Sequence, residues 1–165
     1  MEKRLTKLHV ILAITLLFTP LVLIITTGEV RSSISNYAYS SMNHLFATLL
    51  TIAGTMFIFN GTAYNSRWYN IALGLSLIGV ALTPHFDFPI IHYAFATIFF
   101  LGSVVVMIGF SSKEQKPLKV YFGSLIIIGL LGHFWCNFYS LFWAEWIGML
   151  PITIHYLGES TGKLD

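Results

Sequence analysis

Six apolar runs, parted by short polar or turn-forming breaks, organise this chain. They fall at about 8–27, 42–60, 68–84, 89–110, 118–137 and 140–158. Each approaches the roughly 20 residues a helix needs to cross about 30 Å of hydrocarbon, the third least closely. The breaks are Gly28, the serine-rich stretch 32–41, the Asn60-Gly61 pair, the bend between Pro84 and Pro89, and residues 111–117. All are places where glycine, proline or clustered polar residues interrupt a helical pattern. The pattern predicts an all-α protein, a polytopic bundle of six transmembrane helices forming one domain over residues 1–165. The first run resembles a secretory signal in following Lys3, Arg4 and Lys7, but it outlasts the usual apolar core and lacks a small-x-small cleavage site, so a retained first helix is expected.

Composition narrows the class further. The chain is 56% hydrophobic and 10% charged, against about a quarter charged in ordinary soluble domains. Spans and short loops use nearly all of it. A net charge of +2, with no basic face or tract, excludes a nucleic-acid partner. Cys136 is the lone cysteine, which rules out an internal disulfide and any cysteine-built metal centre. Orientation follows from the basic residues, which accumulate on the cytoplasmic side of short loops. With the N-terminus inside, every Lys and Arg except Arg31 is cytoplasmic: Lys3, Arg4, Lys7, Arg67, Lys113, Lys116, Lys119 and Lys163. Both termini are thus expected in the cytoplasm.

Trp68, Tyr69, Trp135, Trp143 and Trp146 fall where interfacial anchors belong. Ala47, Thr51 and Thr55 form a small-residue stripe that would admit a neighbouring helix, and Gly74, Gly79, Gly102, Gly129 and Gly132 suit the same role. Pro151 is expected to bend the last helix and free the Ile147 carbonyl. Residues 29–41 form the longest external loop, with room for a short surface helix.

With the topology fixed, ionisable residues sort by depth. His44, His85, Asp87, His92, His133 and Glu145 share the outer rim with Glu29 and Arg31. Such groups are costly at membrane depth and face a bundle interior or a wet cavity. An outer-facing cavity lined by His92, His133 and Glu145, with His85 and Asp87 at its lip, is the expected site. Three readings compete. Imidazoles and carboxylates suit a divalent ion such as zinc, held by His92, His133, His85 or Asp87, with Glu145 as catalytic base. Paired histidines on neighbouring helices could ligate haem, but no attachment motif is present. The third reading is that near-interface histidines hydrogen-bond helix ends, with Glu145 paired to His92 or His133. Arg31, Tyr37, Asn43 and His44 add ligand-binding capacity, Arg31 toward a phosphate or carboxylate. The loop serines read as turn formers and caps, since no nucleophile elbow accompanies them. His9 and His155 read as isolated residues of the inner interface.

Three stretches carry a resemblance: Ser33-Ile-Ser-Asn-Tyr37, the run from His92 to Phe100, and Phe142-Trp-Ala-Glu145. Together they resemble a group of bacterial multi-pass inner-membrane proteins distantly similar to the Frag/DRAM/Sfk type, over most of residues 30–160. The resemblance implies a multi-pass architecture and marks His92 and Glu145 as recurrent positions. The run from Tyr39 to Phe46 and the bend from His85 to His92 are faintly similar to alkaline-ceramidase-like membrane hydrolases, which join histidines and an aspartate around zinc. That family's closing pair of histidines has no counterpart here, where the last segment holds only His155.

The expected function is an integral membrane protein whose outer-facing polar pocket, centred on Glu145 and His92, binds a lipid or small amphiphile. The alternatives are a metal-dependent hydrolase of lipids and a structural subunit of a larger membrane complex, with the small-residue stripe as its contact face. Expected partners are membrane lipids and, in the last case, other membrane subunits.

Overall fold

The structure is a computed structural model that describes residues 2–63 and 67–164, with side chains from Thr6 onward. The described residues form six α-helices: α1 (Glu2–Thr27), α2 (Asn43–Ala63), α3 (Tyr69–Leu82), α4 (Pro89–Gly109), α5 (Lys116–Phe134) and α6 (Leu141–Ser160). A short 3-10 helix, Ser35–Tyr39, precedes α2. Four of the six are long and apolar enough to cross a membrane: α1 over Thr6–Thr27, α2, α4 and α5.

Local chemistry sets the boundaries. Gly28 ends α1 at a φ of +74°, the left-handed position that favours glycine, with its N–H on the Ile24 carbonyl at 2.8 Å. Prolines open α4 and α5, where a missing N–H costs nothing. Two expectations need correction. The Asn60-Gly61 pair does not form a turn, because both residues are buried inside α2 and held there by α3. Residues 32–41 do contain a short helix, but it is tucked into the bundle, with Ser33, Ile34, Ser35, Tyr37 and Ser40 buried. α6 runs unbroken through Pro151, and α1 through Pro20.

Each helix packs on its neighbours in sequence and α6 closes against α1, so the six form a ring in chain order. Short connections between antiparallel neighbours favour this arrangement. The closest crossing joins α2 and α3 through glycines: a Cβ on Gly74 would sit 2.4 Å from the Gly54 carbonyl oxygen. Of the Ala47, Thr51 and Thr55 stripe, Thr55 is exposed and the other two are half-buried. Trp135 and Trp68 are exposed as anchors should be, whereas Trp146 turns inward and donates from its indole N–H to the Leu17 carbonyl of α1 at 3.2 Å. Large apolar side chains such as Ile25, Ile90, Val105 and Ile128 point outward. A water-facing surface would not carry so many.

The ring has two ends. The distal end gathers the α1–α2, α3–α4 and α5–α6 connections, joined by hydrogen bonds from Phe142 N–H to the Ser32 carbonyl at 2.8 Å and from the Tyr39 hydroxyl to Asp87 at 3.2 Å. The basic end carries Arg67, Lys113, Lys116, Lys119 and Lys163.

Candidate functional site

A cavity of about 570 Å³ opens at the distal end between α4, α5 and α6, where α4 and α6 make little contact with each other. Residues Ser32, Ser33 and Ser35 of the tucked loop and His85 and Phe86 of the α3–α4 bend roof it. His92, His133, Ser140 and Glu145 complete a polar end, while Ala96, Phe100, Leu101, Leu130 and Phe134 form apolar walls. His85, His92, His133 and Glu145 therefore line one space.

The two deeper imidazoles are fixed by the backbone. The Nδ1 of His92, a buried side chain in the first turn of α4, lies 2.7 Å from the Thr83 carbonyl oxygen. That of His133 lies 2.8 Å from the Tyr139 carbonyl oxygen. A carbonyl only accepts, so Nδ1 carries the proton in both rings, and in the neutral form Nε2 is left as an acceptor. The loop supplying the second carbonyl is itself tied down, its Tyr139 hydroxyl donating to the Gly129 carbonyl at 2.7 Å.

His85 differs. Its Nδ1 is buried with no hydrogen-bond partner among the described residues, and its ring packs between Tyr39 and Phe86. Burial lowers the His85 pKa below its ordinary value, with the Asp87 carboxylate acting in the opposite sense. The ring is thus held neutral near pH 7.

Glu145 is not engaged with either histidine. Its Oε2 accepts the Ile34 backbone N–H at 2.5 Å. Ile34 caps the start of the 3-10 helix, so a carboxyl from α6 supplies the acceptor that the first turn cannot provide for itself. The residue both lines the cavity and staples its roof.

Other candidate residues lie elsewhere. Arg31 pairs with Glu29 through two nitrogens, at 2.9 and 2.5 Å, and stacks over Tyr37. Tyr37 is fully buried and donates to the Glu29 carbonyl at 2.7 Å. Asn43 and His44 are exposed at the start of α2, outside the cavity lining. Asp87 is exposed and engaged with Tyr39. Among the described residues no three His, Cys, Asp or Glu groups come within reach of a shared metal ion. The expected ligands His92, His133, His85 and Asp87 do not assemble as one set in this arrangement.

A family model matches residues 18–160, most of the chain. The chain belongs to that family, a family of unknown function (DUF7103). The DUF7103 match takes in the tucked loop and every polar residue of the distal cavity. No curated protein and no solved structure matches the chain.

The basic end of this DUF7103 chain holds a second polar assembly, which sequence reading missed. His9 and Asn60 are hydrogen-bonded; the Asn60 carbonyl oxygen accepts from Asn70 at 2.8 Å, and the Tyr156 hydroxyl donates to Asn70 at 3.0 Å. Glu159 pairs with Arg67 and lies 3.8 Å from His9 and 3.6 Å from His155. Lys119, only 1% exposed, donates to the Nδ1 of His155 at 3.0 Å. His9 and His155, expected to be isolated, belong to one network. Two signals were readable: the i,i+4 spacing of His155 and Glu159, and the paired asparagines in flanking apolar runs.

Proposed function

We propose that this chain is a multi-pass membrane protein of six spans, with both termini in the cytoplasm of a bacterial inner membrane. Its outer-facing cavity binds a lipid or other small amphiphile. The observation that carries the reading is the polarity gradient in the distal cavity. Hydroxyls, imidazoles and a carboxyl gather at its distal end, while Phe100, Leu101 and Leu130 line its apolar part. Its size lies within the roughly 300–1,000 Å³ typical of small-molecule sites.

Exposed Tyr93, Thr97, Leu101 and Phe134 border the cavity on the outer surface of the ring, which suits entry from the bilayer side. The six-span reading is supported by α6, whose 20 residues reach about 30 Å at 1.5 Å per residue. The 14 residues of α3 reach about 21 Å, a mismatch that local bilayer thinning and the Trp68 and Tyr69 anchors accommodate. The one-sided Lys and Arg distribution supports the orientation.

The test is native mass spectrometry of protein extracted from membranes, with extracted lipids identified in parallel. A bound lipid is expected, displaced in a Leu101→Trp variant that fills the apolar part. Absence of any enriched lipid, together with no uptake of added phospholipid, would overturn the reading. Because three imidazoles share the cavity, metal is measured on the same sample; stoichiometric zinc lost in His92→Ala would instead favour the hydrolase.

A further inference from the structure

The distal cavity sets hydrogen-bond acceptors above apolar walls, and the kind of head group it can seat follows from that chemistry. Resting on the reading that this cavity takes an amphiphile, we propose that the head group seated there is a hydrogen-bond donor, a hydroxyl or an ammonium, rather than a phosphate.

Charge makes the first argument. Among the described residues no Lys or Arg lines the space. Arg31, the cation of the distal loop, lies outside the lining and is paired with the Glu29 carboxylate at 2.5 Å. Glu145 adds no positive charge in either protonation state. A phosphate would enter without the guanidinium or ammonium that phosphate sites rely on, and an unpaired charge taken out of water is costly.

Hydrogen bonding makes the second. The Nδ1–H groups of His92 and His133 are spent on the backbone carbonyls of Thr83 and Tyr139, at 2.7 and 2.8 Å. In a neutral ring the other nitrogen, Nε2, only accepts. The roof serines answer each other: the Ser33 and Ser35 hydroxyls lie 3.1 Å apart, and Ser33 already accepts the Asn36 N–H at 3.0 Å. Acceptors on two neighbouring helices thus face a shared space, and a ligand O–H or N–H supplies what they lack. An ether oxygen does not.

The spacing along the helices makes the third. His92, Ala96 and Phe100 follow one another at successive turns on one face of α4, and Leu130 and His133 are three apart on α5; all five line the cavity. A head group at the imidazoles therefore has its chain laid directly against apolar walls.

The test uses the full-length protein in a neutral detergent at pH 8, above the ordinary imidazole value of about 6.5. Dodecanol, dodecylamine, dodecyl methyl ether and dodecyl phosphate are titrated at equal mole fraction, with binding read by thermal shift. Saturable binding of the alcohol or the amine is expected, with the ether and the phosphate at least about fivefold weaker. Preference for the alcohol over the ether should shrink in His92→Phe and in His133→Phe. A stronger response to dodecanol than to dodecylamine assigns a neutral hydroxyl, and the reverse assigns an ammonium. Saturable binding in which the ether matches both donors, or the phosphate binds tightest, overturns the proposal and leaves the amphiphile reading standing. No saturable binding of any of the four overturns both. Should the histidine variants fail to fold, the wild-type comparison of donors with ether and phosphate decides.

Discussion

Replacing Glu145 separates its structural duty from any chemistry in the cavity. In Glu145→Ala the Ile34 N–H loses its acceptor at the start of the 3-10 helix. Leaving a buried donor unmatched costs about 1–3 kcal/mol. The loss is local, because the same segment keeps the Ser32 carbonyl on Phe142 N–H and the Tyr37 hydroxyl on Glu29. Local opening of residues 33–37 should therefore rise by roughly five- to a hundredfold, with a smaller fall in global thermal stability. Glu145→Gln keeps a side-chain oxygen at the same reach, so most of the protection should survive. Hydrogen exchange by mass spectrometry on detergent-solubilised protein measures both variants. Equal exchange of the peptide spanning 33–37 in Glu145→Ala and wild type would refute the staple. Equal loss in Gln and Ala would show that an acceptor oxygen alone is insufficient.

Other consequences are as direct. A methyl at Gly74 meets the Gly54 carbonyl oxygen at 2.4 Å, so Gly74→Ala should force α2 and α3 apart and destabilise by about 1–3 kcal/mol, read as a lower unfolding temperature. Asn70→Leu strands the Asn60 carbonyl and the Tyr156 hydroxyl and should cost about 2 kcal/mol or more, whereas Tyr156→Phe, which leaves one Asn70 lone pair unmet, should cost less. The folded-state pKa of His85 is lowered, so its contribution to stability is present above the ordinary imidazole value of about 6.5 and is lost as the pH falls through the folded value. A His85→Phe variant should show a shallower acid decline in unfolding temperature, and an unchanged slope would discount that role. Cys136 is exposed at the distal end, so in intact cells an impermeant maleimide should label it, while Lys113→Cys in a Cys136→Ser background should react only after permeabilisation.

The helices were legible because lipid-scale apolar runs and strong breakers coincide: Gly28, Pro89 and Pro117 all fall within a residue or two of a helix end. Asn60-Gly61 misled because its turn propensity is local, whereas its stability in α2 is tertiary. Asn60 is completed by His9 and Asn70 from two other helices, and Gly61 is needed where Ile71 packs close. Depth could be read for His85, His92, His133 and Glu145, since it needs only the helix ends. Their partners could not. Thr83, Tyr139 and Ile34 engage them through backbone atoms that any residue would offer, so no side-chain identity signals the contact. Arg67 and Lys119 enter the sequence reading only as markers of orientation. That reading is blind to burial, because a basic residue near a helix end can also turn inward once helices pack.

The two polar ends are held apart by a closed waist, and this limits what the protein can do. Phe57, Phe99, Ile126 and Ile152 are buried between them, with the Phe57 and Phe99 rings edge to face. The hydroxyls of Ser76 and Ser103 at this level donate to carbonyls of their own helices, Leu73 and Phe99. A proton or ion crossing the ring would meet packed apolar side chains, where an unpaired charge costs several kcal/mol. Packed apolar side chains between the distal cavity and the basic end favour a mechanical link over a charge relay. The route for it is α6, which carries Glu145 at one end and His155 and Glu159 at the other, with Pro151 between them. Proline removes the N–H that would bond the Ile147 carbonyl, so the two halves of α6 are tied by one hydrogen bond fewer than an ordinary helix. Restoring it with Pro151→Ala should stiffen that link: ligand added to one end would then change hydrogen exchange at the other more than it does in wild type. Unchanged transmission in the variant would mean that the ends act independently.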